Sequence, residues 1–297
     1  MLTQEQIAEY RRRGYLVVEN AIDASTLAEL RRVTEGIVAA AKGLTDHTEV
    51  IDLEPTHTPD EPRVRRIKKP HLADPFYRRL AADPQITELL RPLMSDNIRL
   101  RSGGKVNMKS PEYGAPVEWH QDWAFYPHTN DDVLAVGVLL DDMTLENGPM
   151  MVVPETHLGE VYNHHCDGVF CGAIDISQTD IDLSAAIPLT GPAGSITIHH
   201  ARLIHGSSMN TSKFSRRLLL YEYAVADAWP MAGIEDIADF DEFNSRIVLG
   251  EATVQPRVVP VPIRIPLPRA HHQGSIYENQ RSLGTRYFES SSRTKSN

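Results

Sequence analysis

The segment EWHQDWAFY, residues 118–126, places an imidazole at His120 and a carboxylate at Asp122. Side chains at i and i+2 of a strand leave the same face, so this pair can converge on one metal ion. Far downstream, residues 194–217 run GSITIHHARLIHGSSMNTSKFSRR. They read as a strand that delivers His205 to a turn or bulge at Gly206, with a second strand starting near Arg216. Two histidines and one carboxylate make a facial triad that leaves coordination positions open and suits Fe(II) chemistry with dioxygen. An arginine opening the next strand can point into the same cavity, where its guanidinium fork grips a carboxylate at two points. Triad and arginine together are what a chelating dicarboxylate co-substrate needs. Arg217 is the local rival of Arg216, and the two point to opposite faces of their strand.

The elements that must hold these residues change character along the chain. Thr3 and Gln6 form a capping box ahead of a helix over 4–12 that Gly14 closes. Residues 15–19 read as a strand, and a longer helix is expected from 25 to 42 with Gly43 as its stop. Residues 44–62, with Pro55, Pro59 and Pro62, read as an exposed loop, and two shorter helices fit 75–81 and 84–94. From about 98 onward, short apolar runs recur between Gly and Pro breakers, at 98–101, 133–140, 150–153, 194–199 and 217–225. That spacing predicts a sandwich or barrel, with the amino-terminal helices packed outside. The expected organisation is one domain over 1–297: a mostly helical flank (1–95), a barrel core (96–228) and a C-terminal extension (229–297). The final SSSRTKSN is expected to be disordered.

Composition bounds the partners. The 297 residues are 41% hydrophobic, enough for a sizeable core, and carry a net charge of −10, which argues against nucleic acid. No stretch is apolar for long enough to span a bilayer, and the charged amino terminus does not read as a secretory signal. Two cysteines, Cys166 and Cys171, make no disulfide framework, so a cytoplasmic setting is expected. The basic run Arg63, Arg65, Arg66, Lys68 and Lys69 reads as a solvated face.

The combined spacing resembles the phytanoyl-CoA dioxygenase family of Fe(II)/2-oxoglutarate oxygenases. That family's pattern is an HxD pair, a distal histidine in an H-G-S context, and an arginine eleven residues later. The chain has His120-Gln121-Asp122, His205-Gly206-Ser207 and Arg216. The resemblance covers roughly 5–225. It implies a mainly β fold with flanking helices, a double-stranded β-helix (jelly-roll, cupin-like) barrel. It further implies that His120, Asp122 and His205 bind Fe(II) and that Arg216 pairs with the distal carboxylate of 2-oxoglutarate. Ser207 is placed on the same carboxylate, and Asn107 and Arg66 stand where some members contact the co-substrate. The implied reaction consumes dioxygen and 2-oxoglutarate, releases succinate and carbon dioxide, and hydroxylates a C–H bond of a small organic metabolite. A carboxylate at 122 speaks against halogenation, since halogenases leave that position to halide. The extension after 229 has no role that the resemblance carries over.

Rival readings are weaker. A cupin-like isomerase or dioxygenase could use the same triad without 2-oxoglutarate, although Arg216 counts against it. A degenerate, non-catalytic barrel conflicts with an intact triad. His164, His165, Cys166 and Cys171 fit no common zinc spacing, so a loop with free thiols is the expectation. His200 can line the cavity or orient a ligand, but His199 and His200 are left outside the metal set. Trp123, Phe125 and Tyr126 are candidates for the substrate wall or for core. A small hydrophobic or amphipathic molecule is the default substrate, in a monomer or homo-oligomer.

Overall fold

The computed structural model describes residues 1–111, 114–234, 237, 239–269 and 275–288. Helix α1 (Gln4–Arg13) begins at the Thr3–Gln6 capping box and ends on Gly14, whose φ of 81° few other residues adopt. Strand β1 (Tyr15–Val18) follows, then α2 (Ala24–Ala39), whose N-cap Asp23 accepts from the amides of Ser25 and Thr26. Next come β2 (Ile51–Leu53), β3 (Val64–Ile67) and the short helices α3 (Pro70–Ala73), α4 (Phe76–Ala81) and α5 (Pro84–Leu90). The barrel continues with β4 (Ile98–Leu100), β5 (Lys105–Lys109), β6 (Val117–His120), β7 (Val133–Leu139) and β8 (Met150–Val152). A small hairpin, β9 (His165–Cys166) and β10 (Val169–Phe170), precedes β11 (Ile187–Leu189), β12 (Ile196–His200), β13 (His205–Ser207) and β14 (Arg216–Val225). Helix α6 (Phe240–Ser245), β15 (Ile247–Leu249) and α7 (Ile276–Asn279) complete the description.

Nine strands form the larger sheet, β1-β12-β7-β14-β5-β3-β2, with β4 beside β14 and β15 beside β4; four form the smaller, β11-β8-β13-β6. The two sheets enclose one cavity as a double-stranded β-helix, with residues of both in its wall. Alternation along the strands of the large sheet sorts its faces. Leu219, Tyr221 and Tyr223 of β14, with Val106 of β5 and Val136 and Val138 of β7, pack outward against Leu30, Tyr77, Leu80 and Leu90 of the helices. The Tyr221 and Tyr223 hydroxyls donate to the carbonyls of Tyr77 and Ala81, which ties α4 to the sheet. The opposite residues, Arg216, Leu218, Leu220 and Glu222 of β14 with Lys105 and Asn107 of β5, line the cavity.

Several expectations change. The segment 44–62 contains β2, whose three residues are all buried and pair with β3; a three-residue strand among prolines leaves no period to read. The basic run is only partly a solvated face: Arg65 and Arg66 lie in β3, with Arg65 only 3% exposed and bonded to Glu278 and Arg66 and Lys68 sharing Asp52, while Lys69 stays exposed. The second helix stops at Ala39, three residues short of the expected end, and the fifth stops at Leu90. The expected disorder of SSSRTKSN lies outside the described residues.

Candidate metal centre and co-substrate cavity

His120 closes β6 and His205 opens β13, and the register sets them directly opposite each other. Their ring centroids are 4.1 Å apart. Each Nδ1 faces a carbonyl two residues earlier, Glu118 O at 2.8 Å and Leu203 O at 2.9 Å. Those bonds require Nδ1–H and leave each Nε2 lone pair free to bind a metal. Asp122 is not on the strand as the i, i+2 argument assumes. The strand stops at His120, and Asp122 opens a 3-10 turn (Asp122–Ala124) that swings its carboxylate back. Its Oδ1 lies 3.8 Å from His120 Nε2 and 3.9 Å from His205 Nε2. Ligand atoms of all three lie within 4.8 Å of one another, the one such buried trio of His, Cys, Asp or Glu among the described residues.

The electrostatics fit a cation. Burial pulls both His120 and His205 below the ordinary histidine range, so they are neutral ligands at pH 7. Burial alone would raise the Asp122 carboxyl, but the imidazoles of His199 and His205 beside it outweigh burial and hold the group well below its usual range. The result is two neutral nitrogens and one carboxylate, the mixed donor set that suits Fe(II).

The middle residue of the motif locks the turn. Gln121 is fully buried, and its amide group donates to the carbonyls of Glu160 and Arg202 and accepts from the Tyr162 N–H. Its backbone N–H donates to His164 Nε2 at 2.8 Å, and burial pulls that imidazole down to about 3. His164 therefore supports the metal turn and belongs to no zinc site; Cys166 and Cys171 are free thiols, as the sequence suggests.

At the deep end of the cavity stands Arg216, 2% exposed. It donates to Gly148 O at 2.7 Å, while its Nε has no partner and no carboxylate pairs with it among the described residues. Burial lowers it to about 10, still charged at pH 7. Lys109, its cross-strand partner, is also buried; its Nζ donates to Ser207 Oγ at 2.8 Å and to the Ser208 carbonyl. Gly148 (φ 72°) lets these groups meet, because a Cβ there would lie 2.6 Å from Ser208 O and 3.0 Å from the Lys109 side chain. A buried guanidinium without a counter-carboxylate is costly unless an anion joins it. The distal carboxylate of 2-oxoglutarate fits that need. Ser207 accepts from Lys109 and so keeps its own hydroxyl hydrogen to donate, and Asn107 lines the cavity with a buried, unpartnered Oδ1. Arg66 also lines it but is held by Asp52 at 2.7 Å. Arg217 points outward to Asp141 and Glu35.

Other residues also reach the cavity. His199, not His200, faces the metal side: its Nε2 is 3.4 Å from Asp122 Oδ2 and both ring nitrogens lack a well-aligned partner. His200 faces away and packs on His157. Tyr277 of α7 joins the wall, so the C-terminal extension returns to the deep end. At the mouth, Lys105 and Arg101 both pair with Glu222. Phe125 and Tyr126 line the cavity, whereas Trp123 is core and donates to Pro262 O.

Comparison with known proteins places the chain in a family. The family profile for phytanoyl-CoA dioxygenase matches residues 10–218. A protein of Stutzerimonas stutzeri described as a probable alpha-ketoglutarate-dependent hypophosphite dioxygenase is 40% identical over 288 residues, 96% of this chain and 99% of its own. The L-proline trans-4-hydroxylase of Streptomyces griseoviridis is 30% identical over 72% of this chain and 83% of its own. Among solved structures, EctD from S. alaskensis with 2-oxoglutarate and 5-hydroxyectoine superposes with a TM-score of 0.64 at 24% identity, over 90% of this chain and 89% of that one; at that identity it speaks for the fold. The chain thus belongs to the phytanoyl-CoA dioxygenase family and is a non-haem iron dioxygenase that depends on 2-oxoglutarate.

Proposed function

We propose that His120, Asp122 and His205 hold the iron, that Arg216 and Ser207 take the distal carboxylate of 2-oxoglutarate, and that Asn107 and Arg66 flank it. The observation that carries this reading is the uncompensated Arg216 in the same cavity as a trio whose ligand atoms lie within 4.8 Å of one another. When bound, iron with 2-oxoglutarate and dioxygen supplies the oxidising power: one oxygen atom leaves in succinate, the other enters the substrate, and carbon dioxide is released. The chain's own residues do the rest. Asp122 stays ionised, burial keeps the imidazoles neutral while their carbonyl bonds fix the Nδ1–H tautomer, and Arg216 sets the register of the keto acid by holding its far end. Leu218 and Leu220 line the cavity between that end and the mouth, which limits water there.

The substrate proposed is hypophosphite or an acid of similar size. Full-length similarity to the hypophosphite dioxygenase supports it. So does the cavity, about 290 Å³, which must hold co-substrate and substrate together. That is near the lower end of the roughly 300–1,000 Å³ typical of small-molecule sites. The charged mouth also fits it better than the small hydrophobic or amphipathic molecule expected from sequence. With hypophosphite, a P–H bond becomes P–OH and the product is phosphite. The test is aerobic turnover with Fe(II) and 2-oxoglutarate, with phosphite and succinate both quantified. Equal amounts of the two support the reading; succinate at the substrate-free rate and no phosphite would remove hypophosphite from consideration.

A further inference from the structure

Neither the metal nor the co-substrate accounts for the cluster at the cavity mouth. Glu222 is 3% exposed and lies about 20 Å along β14 from Arg216 at ~3.3 Å per residue. It receives Lys105 Nζ at 3.0 Å, Arg101 Nη2 at 3.3 Å and the Ser102 hydroxyl. Two cations on one carboxylate leave a positive charge unspent. Both cations are about one-third exposed, and both line the cavity. Arg101 has a buried Nε with no partner, and its guanidinium lies over the Tyr126 ring at 3.8 Å, which holds it flat against the wall. Lys105 has two further N–H donors and lines the same cavity as His120 and Asp122. Across the sheet, Ala135 is paired with Glu222 on one side and His199 on the other. Its small side chain leaves an open floor about 10 Å wide, two strand spacings, between this cluster and the metal side.

A structural ion pair would need one cation and no opening. Here a buried carboxylate fixes two partly exposed cations at the edge of a small cavity, beside the metal. Building on the functional reading above, we propose that Lys105 and Arg101, positioned by Glu222, form the substrate's anion subsite, and that the substrate is a compact monoanion. Lys105 and Arg101 touch the anion, whereas Glu222 acts through them. The shared chemistry is an oxyanion, and either an inorganic phosphorus acid or a small organic acid supplies it.

The test is anaerobic calorimetry on protein loaded with Fe(II) and 2-oxoglutarate, titrated with hypophosphite and, in separate arms, methylphosphonate and acetate. One site per chain is expected, with affinity lowered about tenfold or more in Lys105→Gln and in Arg101→Gln, the loss of one charge-assisted hydrogen bond each. The surface variant Lys69→Gln should bind like the wild type. Preference for methylphosphonate or acetate, still dependent on Lys105 and Arg101, supports the subsite and assigns an organic acid. A normal iron–keto acid absorption band with anion affinity indifferent to both substitutions, or with no anion bound by the wild type, overturns the subsite alone. Failure of that band before any anion is added overturns the co-substrate reading and the subsite with it.

Discussion

The cavity has two polar ends built from the same two strands, and they treat charge differently. At the deep end, Arg216 and Lys109 sit side by side in the β14–β5 ladder, both buried, with no carboxylate between them among the described residues. At the mouth, Lys105 and Arg101 are partly exposed and already share Glu222. Leu218 and Leu220 separate the ends. A buried, unpaired guanidinium selects strongly for one dianionic guest, because without it the desolvation cost is uncompensated. A hydrated, half-neutralised pair binds more weakly and releases more easily. The deep end suits a co-substrate that every turnover needs, and the mouth suits a substrate that must come and go.

The largest effect should come from removing what both ends serve. Asp122→Ala is expected to abolish iron binding and iron-dependent turnover while the far-UV spectrum stays native; retained turnover would undo the triad assignment. Next, Arg216→Ala should raise the KM for 2-oxoglutarate by on the order of 10²-fold, the cost of emptying one side of a buried charge pair, and leave substrate affinity nearly unchanged. Lys105→Gln should show the reverse pattern. If either substitution moved both constants together, the ends would not be separate sites. His199→Ala should weaken iron affinity about tenfold, the usual scale for a residue that orients a ligand from behind. A metal titration with unchanged affinity would leave His199 as mere packing.

That His120, Asp122, His205 and Arg216 would meet at one cavity was legible because ligand chemistry restricts residue type and the HxD, HGS and eleven-residue spacings are local. The large-sheet strands were legible wherever apolar runs met Gly or Pro breakers. What stayed hidden was assembled across distance. Glu222 belongs to an apolar-looking strand, and its partners Arg101 and Lys105 lie about 120 residues earlier. Lys109 and Asn107 alternate with apolar residues in a short strand that resembles many others. His199 and His200 are neighbours, and only the pleat decides which one faces Asp122. The return of Tyr277 to the deep end had no local signal at all.

The smallest expected effect concerns the support under the metal turn. His164→Ala leaves the Gln121 N–H without its acceptor and should cost about 1–3 kcal/mol of stability. The same residue makes stability depend on pH. Burial depresses His164 from 6.5 to about 3 and His128 to about 4, so between those values and 6.5 the unfolded chain takes up protons that the folded chain refuses. Stability is therefore fully present above pH 6.5 and falls as pH drops, by up to about 1.4 kcal/mol per unit per group. A urea midpoint lower at pH 5 than at pH 7 is the expected outcome, and His164→Ala should flatten part of that slope.

Whether one buried trio and one buried arginine together receive iron and its keto acid can be seen without oxygen. Fe(II) and 2-oxoglutarate are added to metal-free protein and the visible charge-transfer band of their chelate is followed. The band is expected to need both additions and, in Arg216→Ala, to appear only at far higher 2-oxoglutarate. Iron binding with no band, or a band indifferent to Arg216, would contradict the assignment.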